Sequence, residues 1–262
     1  MTQEITQLVA LATYANARLN ALHLGIDLDF YATQNCHGFD FIKKRAIDIP
    51  GATSILAAKA SDWFTYLRNN GAKRVRIHYE PTADSELPNH ITTAFVGGGS
   101  KWLLEVQFEE ESHLYMRQTE PGVFKDHFVL LEEKWGMVES NFSSVEHSRK
   151  RLNRVLKQTS DFASRFDYTK HWQDNFENAR RTLYDFEPQK SDEVIPYGLY
   201  SKEARQLIET AFRSWVFGGM GSWNDLAFDG EDQEEYEFLS QDLYDAICRA
   251  IESGVNSYPK AL

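Results

Sequence analysis

The chain has 262 residues and a formal net charge of −11 at pH 7. This acidic balance argues against non-specific binding to nucleic acid or to an anionic membrane, and it suits solubility or a basic protein partner. The two cysteines, Cys36 and Cys248, are too far apart in the sequence to form a CxxC pair, which excludes a cysteine zinc site and a disulfide framework.

The first half of the chain predicts a sheet with helices on one side. Apolar residues at helical spacing predict helices over 2–24 and 56–67. Alternation with a period of two predicts strands, and a GGGS sequence between two of them predicts a hairpin. The expected strands are 28–33, 38–42, 74–79, 91–96, 101–108, 113–117 and 127–135. We expect an α+β domain with a largely antiparallel sheet over residues 1–138.

The second half changes to helical periodicity. Ser143 and Glu146 match a capping box ahead of a first helix, and apolar stripes continue to near the C-terminus. The later stripes cover 172–186, 204–216 and 239–251, with a proline-containing linker at 187–198. The last helix is expected to end near Gly254. We expect a mainly helical part over 139–262, either a separate domain or one unit with the first.

Residues 214–228, SWVFGGMGSWNDLAF, contain three glycines within four residues between Trp215 and Trp223. A glycine directly after a helix adopts the left-handed conformation that ends it, and Ser222 with Asp225 predicts a new turn. An anion-binding loop is the alternative. However, this stretch lacks the Lys-Ser/Thr pair of a P-loop, and it follows a helix instead of a strand. We therefore predict a rigid bend.

The same bend carries side chains that often anchor protein partners. Trp215, Trp223, Asn224 and Asp225 combine aromatic surface with polar groups on a rigid turn, which is typical of binding hot spots. We therefore include these four residues in a predicted binding surface. The first hypothesis for this segment is its structural role as a bend, and partner recognition is the second hypothesis.

An acidic segment follows at residues 228–237 and contains Asp229, Glu231 and Asp232. The ligand order of a calcium-binding loop is absent, so we predict no metal site there. The segment is either a mobile acidic loop or an electrostatic docking edge that attracts a basic protein. Its position beside Trp223 favours the docking edge, so these three acidic residues join the predicted binding surface.

Basic residues concentrate on one predicted helix. Lys150, Arg154 and Lys157 fall on one face, opposite the apolar stripe. We expect a solvated outer face that pairs with acidic segments of the chain. Contact with RNA or an acidic partner is the alternative, and this patch is the one place where nucleic acid would fit.

A catalytic site is the competing hypothesis. His78 and Glu105 lie on the polar sides of two predicted strands, and neighbouring strands would form a cluster suited to a divalent metal or to acid–base chemistry. Glu132 and Lys134 match the E-x-K half of nuclease sites that use Mg²⁺. The missing acidic partner has three unranked candidates, which are Asp84, Glu105 and Asp126. A solvent-exposed polar sheet face is the simpler explanation.

Two functions follow from these patterns. No apolar run approaches transmembrane length and residues 1–20 lack the core of a secretory signal, so we expect a cytoplasmic protein without a membrane segment. The first function is a non-catalytic protein-binding module for a basic partner, such as a toxin-neutralising immunity or defence-associated protein acting through an acidic surface. The alternative is a metal-dependent nuclease or nucleotide hydrolase. No cofactor is predicted, and the oligomeric state stays open.

Overall fold

The computed structural model describes residues 3–20, 39–44, 53–81, 88–93, 100–120, 125–135, 142–186, 195 and 198–258. The helices in these ranges are α1 (Gln3–Leu19), α2 (Ala60–Asn69), α3 (Asn89–Thr92), α4 (Val145–Ala163), α5 (Lys170–Asp185), α6 (Lys202–Arg213) and α7 (Glu231–Asn256). The strands are β1 (Phe39–Lys44), β2 (Thr53–Ala57), β3 (Arg74–Glu80), β4 (Lys101–Gln107), β5 (Glu111–Glu120) and β6 (Lys125–Trp135).

The six strands form one sheet in the order β2-β1-β6-β5-β4-β3. Every neighbouring pair is antiparallel except β1 and β6, which run parallel. The predicted α+β fold is therefore confirmed, with a largely antiparallel N-terminal sheet and a mainly helical C-terminal part. β3 and β2 are the two edges of this sheet.

One face of the sheet forms the core with α1, α2 and α7. Val75 and Ile77 of β3 are buried on this face, against which α1 and α7 pack. At the other end of the sheet, the ring of Trp63 from α2 stacks on Phe41 with a centroid distance of 4.3 Å. One continuous cluster of buried apolar residues extends from this face to α4, α5 and α6, crossing the boundary at residue 138.

Two ion-pair sets fix α4 against α7 in an antiparallel arrangement. Arg151, near the start of α4, contacts Asp242 at 2.7 Å and Asp245 at 2.6 Å. Arg165, just beyond the end of α4, contacts Glu235 at 2.6 Å near the start of α7. The Arg151 set is partly shielded from solvent, so it fixes the register of the two helices more firmly than the exposed pair of Arg165 and Glu235 does.

The start of α4 differs from the prediction by one residue, and the end of α7 agrees with it. The N-cap of α4 is Ser144, not Ser143, and its Oγ accepts a hydrogen bond from His147 N–H at 3.1 Å. Helix α7 ends at Asn256, near Gly254 as expected, and Gly254 itself lies inside the helix. A Cβ at this position would lie 2.5 Å from Cγ1 of Ile208, so the glycine allows α6 to approach α7 closely.

The predicted hairpin around the GGGS sequence is wrong where it can be tested. Ile91 and Thr92 lie in α3, and β4 pairs with β3 and β5 instead. Helix α3 is held by tertiary contacts, because Asn89 and His90 are buried and the His90 carbonyl accepts a hydrogen bond from Asn224. Packing has overridden the strand preference of these residues. Residues 94–99 and the predicted strand at 28–33 lie outside the described ranges.

The start of the second predicted helix also needs correction. Residues 53–57 form the edge strand β2, and α2 begins only at Ala60. A segment of five residues is too short for its alternation to indicate a strand when a strong helical stripe follows directly. Within the described part of the chain, β2 is the one strand that the periodicity missed.

Candidate functional site

The glycine-rich bend is closed by its own side chains. Helix α6 ends at Arg213, five residues before the first glycine, Gly218, so the prediction that the glycines end this helix is wrong. Gly221 has a φ of 81°, and its N–H donates to the carboxylate of Asp225. Ser222 Oγ accepts from Asn224 N–H at 3.3 Å, which starts the predicted new turn. The backbone donor that an anion would need at Gly221 is thus already occupied by a carboxylate.

The prediction that Trp223 anchors a partner must be corrected. Its side chain is fully buried, and its Nε1 donates to Ser240 Oγ at 2.7 Å. Its ring centroid lies 5.1 Å from that of Phe176 and 5.4 Å from that of Tyr236. A buried indole has no surface to offer a partner, so Trp223 joins the bend to α5 and α7 and is not part of a binding surface.

Trp215 and Asn224 also act within the chain. The half-buried Trp215 donates from Nε1 to the Phe217 carbonyl at 2.7 Å, and its ring lies 5.6 Å from Tyr244. Asn224 Nδ2 donates to the His90 carbonyl at 2.8 Å. These contacts attach the bend to α3 and α7. Of the four predicted hot-spot residues in the bend, only Asp225 is exposed, and its carboxylate holds Gly221.

The acidic segment is the start of a helix and not a mobile loop. Helix α7 begins at Glu231, directly after Gly230 with a φ of 56°. Carboxylates in the first turn of a helix interact favourably with its dipole, which explains why so acidic a sequence is helical. Asp229 and Glu231 are exposed, whereas Asp232 contacts Arg165 at 3.4 Å.

Arg165 occupies a site made of aromatic faces and carboxylates. Its guanidinium carbon lies 4.4 Å from the ring centroid of Phe162 and 5.6 Å from that of Phe166. The same guanidinium contacts Glu235 at 2.6 Å and Asp232 at 3.4 Å. Aromatic faces and carboxylates together are the usual environment of a bound arginine.

A similar set of groups lies beside Arg165, in which Tyr168, Asp229 and Glu231 are exposed and Phe228 is half-buried. Tyr168 is 56% exposed, and its ring centroid lies 5.9 Å from that of Phe228. Asp229 and Glu231 follow Phe228, and no lysine or arginine of the described ranges lies within ion-pair distance of either. We call Tyr168, Phe228, Asp229 and Glu231 the acidic ledge. Its aromatic and acidic groups are open to a cation from outside the chain.

The polar face of the sheet carries a buried histidine–carboxylate pair. The Glu105 carboxylate accepts hydrogen bonds from His78 Nε2 at 2.8 Å, Ser112 Oγ at 2.8 Å and Gln107 Nε2 at 3.1 Å. Burial alone would raise the pKa of Glu105, but these three donors hold it below its ordinary value. The Phe142 ring lies 5.1 Å from the His78 ring. The expectation of a solvated face is therefore wrong here, because Glu105 has no exposed surface.

The proposed E-x-K site is placed only by its backbone. Residue 132 lies opposite Leu114 in the sheet register, and Leu114 lies opposite Glu105. The side chains of Glu132 and Lys134 lie outside the described set. In the part of the chain that is described, no three His, Cys, Asp or Glu side chains are grouped to hold a metal ion. Both oxygens of the Glu105 carboxylate already accept hydrogen bonds, which leaves it a poor ligand.

The basic patch on α4 is exposed as expected. Lys150 contacts Glu146 at 2.5 Å and Lys157 contacts Asp161 at 2.6 Å, each four residues away on the same helix. Arg154 lies between them, and it has no ion pair with a described residue. The two lysines are thus locally balanced, which weakens this patch as a site for nucleic acid.

None of the helices in the described ranges combines the length and apolar character needed to cross a bilayer. A scan of protein-family models, a search of curated proteins and a search of solved structures each find no match to the chain. The candidate sites therefore rest on residues and contacts alone.

Proposed function

We propose that the protein is a non-catalytic binding module that holds a basic protein partner on its acidic ledge. The observation that carries this proposal is Arg165, an arginine of the chain itself that is bound by two aromatic rings and two carboxylates. The ledge presents the same kinds of groups, an aromatic ring and carboxylates, at the adjoining surface. A lysine or arginine of a partner would stack on Tyr168 and Phe228 and pair with Asp229 or Glu231.

The net charge of −11 supports the same partner class. A strongly acidic protein attracts basic proteins over long range and increases their association rate, while close contacts decide affinity. One concrete form of this function is a cytoplasmic immunity or defence-associated protein that neutralises a basic toxin. The ledge then provides the close contacts and the overall charge provides the steering.

A metal-dependent nuclease or nucleotide hydrolase is the weaker proposal. Its best-placed carboxylate is Glu105, which is buried and accepts hydrogen bonds from three donors. Substrate phosphates would also approach an acidic molecule against its overall field. The hydrolase proposal needs a Glu105 that exchanges these partners for a metal.

The test compares the intact protein with a ledge variant, Tyr168→Ala with Asp229→Lys and Glu231→Lys. Each is immobilised and exposed at low salt to a lysate of the host, and retained proteins are identified and then purified for affinity measurements. The matched control is Asp174→Lys with Asp185→Lys, which reverses two exposed charges on α5.

We expect a basic protein to be retained by the intact chain and by the control variant. The ledge variant should bind it more weakly, on the order of a hundredfold, since it loses an aromatic anchor and two charges. Retention of no basic protein at low salt would contradict the proposal. Equal loss of affinity in the ledge and control variants would show that overall charge acts without a specific ledge.

A further inference from the structure

The outer faces of α4 and α7 lie side by side and form a surface that we call the two-helix platform. On α4 it carries Lys150, Arg154 and Lys157, all exposed. On α7 it carries the exposed Glu234 and, one turn later, Phe238. The two ion-pair sets between the helices hold these faces in a fixed relation.

Phe238 interrupts the row of contacts between the two helices. It lies three residues after Glu235, which pairs with Arg165, and four residues before Asp242, which pairs with Arg151. At this intermediate position the side chain is 69% exposed. A phenylalanine so exposed in the middle of an ion-pair row loses the stabilisation that burial would give it.

The platform has a basic half and an acidic half. On the α4 half, Glu146 and Asp161 balance Lys150 and Lys157, so its excess positive charge is that of Arg154, which has no ion pair within the described part of the chain. The α7 half has Glu234, which likewise has no cation within ion-pair distance there.

A surface with two halves of opposite charge is complementary to itself after a twofold rotation. We propose that a second copy of this chain binds the two-helix platform, with α4 of one protomer against α7 of its partner. The twofold axis passes near Phe238, so the two phenylalanines pack on each other at the centre. Arg154 of each protomer faces the acidic half of the other. This interface lies apart from the acidic ledge and leaves it open.

A charge-swap experiment on the full chain tests this arrangement by sedimentation velocity over a wide range of protein concentration. The variants are Arg154→Glu, Glu234→Arg and Phe238→Asp, all at exposed positions where folding is checked by circular dichroism. Salt dependence is a poor test, because salt screens the repulsion between two acidic protomers as well as the local attraction.

The intact chain should show a reversible monomer–dimer equilibrium. Each variant should weaken the dimer, on the order of tenfold or more. An equal mixture of the Arg154→Glu and Glu234→Arg proteins should recover the dimer. In the heterodimer, the introduced glutamate at position 154 faces the introduced arginine at position 234. The other contact keeps the original Arg154 and Glu234. Mixing the Phe238→Asp protein with either charge variant should not restore a dimer. The control Asp174→Arg, on α5, should dimerise like the intact chain.

Three results would overturn the proposal. The first is an intact chain that is monomeric at every concentration. The second is a dimer whose stability in all three variants equals its stability in the control. The third is a failure of the mixed charge-swap proteins to associate better than either alone, since a twofold contact between Arg154 and the acidic half requires that recovery.

Discussion

The side-chain amide of Asn256 forms two hydrogen bonds with the backbone of Ile77. Its Nδ2 donates to the Ile77 carbonyl at 2.7 Å, and its Oδ1 accepts from the Ile77 N–H at 2.9 Å. Asn16 forms the same pair of bonds with Val75, at 2.8 Å each. Because β3 is an edge of the sheet, these amides take the place of another strand and satisfy backbone groups that would otherwise be open to pairing.

Replacement of Asn256 by alanine should destabilise the protein substantially. The backbone N–H and carbonyl of Ile77 would be left without partners in a buried setting, at a cost of about 2–4 kcal/mol in the free energy of unfolding. Urea denaturation followed by circular dichroism measures this. Asn70→Ala is the control, because that amide bonds only to the Tyr66 carbonyl at an exposed helix end. Similar losses in the two variants would contradict the edge-covering role.

Glu105 should make the stability of the fold depend on acid. Its pKa lies below the ordinary value of 4.5, so the folded state prefers the carboxylate. The resulting stabilisation is present in full above about pH 4.5 and is lost as the pH falls through the lowered pKa. Glu105→Gln lacks the carboxylate that the folded state stabilises, so it should be less stable than the intact chain at neutral pH. The glutamine cannot titrate, so its own contribution does not change with pH.

The difference between the intact chain and Glu105→Gln should shrink as the pH falls below 4.5. Urea midpoints at a series of pH values measure it. Glu80→Gln is the matched control, because Glu80 is half-exposed and pairs with Lys101 at 3.0 Å. That substitution should change the unfolding free energy by less than about 1 kcal/mol at any pH. A difference for Glu105→Gln that does not vary with pH would refute the assignment.

Trp223→Ala should act on stability and not selectively on binding. Removal of a fully buried indole leaves a cavity and frees the Ser240 hydroxyl, at a cost of about 3–5 kcal/mol. The neighbouring Met220 is fully exposed, so Met220→Ala should leave the melting temperature unchanged. Thermal unfolding of both variants measures these changes in stability. A stable Trp223→Ala protein with weakened partner binding would restore the hot-spot hypothesis.

Mg²⁺ and Mn²⁺ should leave the melting temperature of the protein unchanged. The Glu105 carboxylate already accepts bonds from His78, Ser112 and Gln107, so a cation would have to displace these donors. A ligand that binds the native state raises its stability by mass action, which makes a thermal-shift assay sensitive to metal binding. A rise that Glu105→Gln abolishes would favour the hydrolase alternative.

Periodicity predicts the elements of this fold better than it predicts their surroundings. The stripes of α4, α5 and α6 identify those helices, because one side of each packs against the core. Trp223 shows the limit of that reasoning. A tryptophan on a turn suits a core and a binding surface equally well, and its burial depends on Phe176 and Tyr236, which come from other helices.

The candidate sites have the same limit. The sequence indicates that His78 and Glu105 belong to polar strand faces, and the register of β3 with β4 brings them within 2.8 Å. Their burial is not encoded in that alternation. The acidic ledge depends on Tyr168 reaching Phe228, a contact across sixty residues that no local pattern contains. Tyr168 is not among the predicted binding residues, and the one signal for it in the sequence is an aromatic residue shortly after the apolar stripe of α4.

The hydrogen bonds between Asn256 and Ile77 join residues 179 positions apart, which has a consequence for biosynthesis. All six strands leave the ribosome long before the final turn of α7 does. Throughout that interval the Ile77 backbone on the edge strand β3 lacks its Asn256 partner and is open to the addition of another strand. We expect translation products that stop short of residue 256 to be captured by chaperones or to aggregate, whereas products that include Asn256 avoid both outcomes once α7 docks.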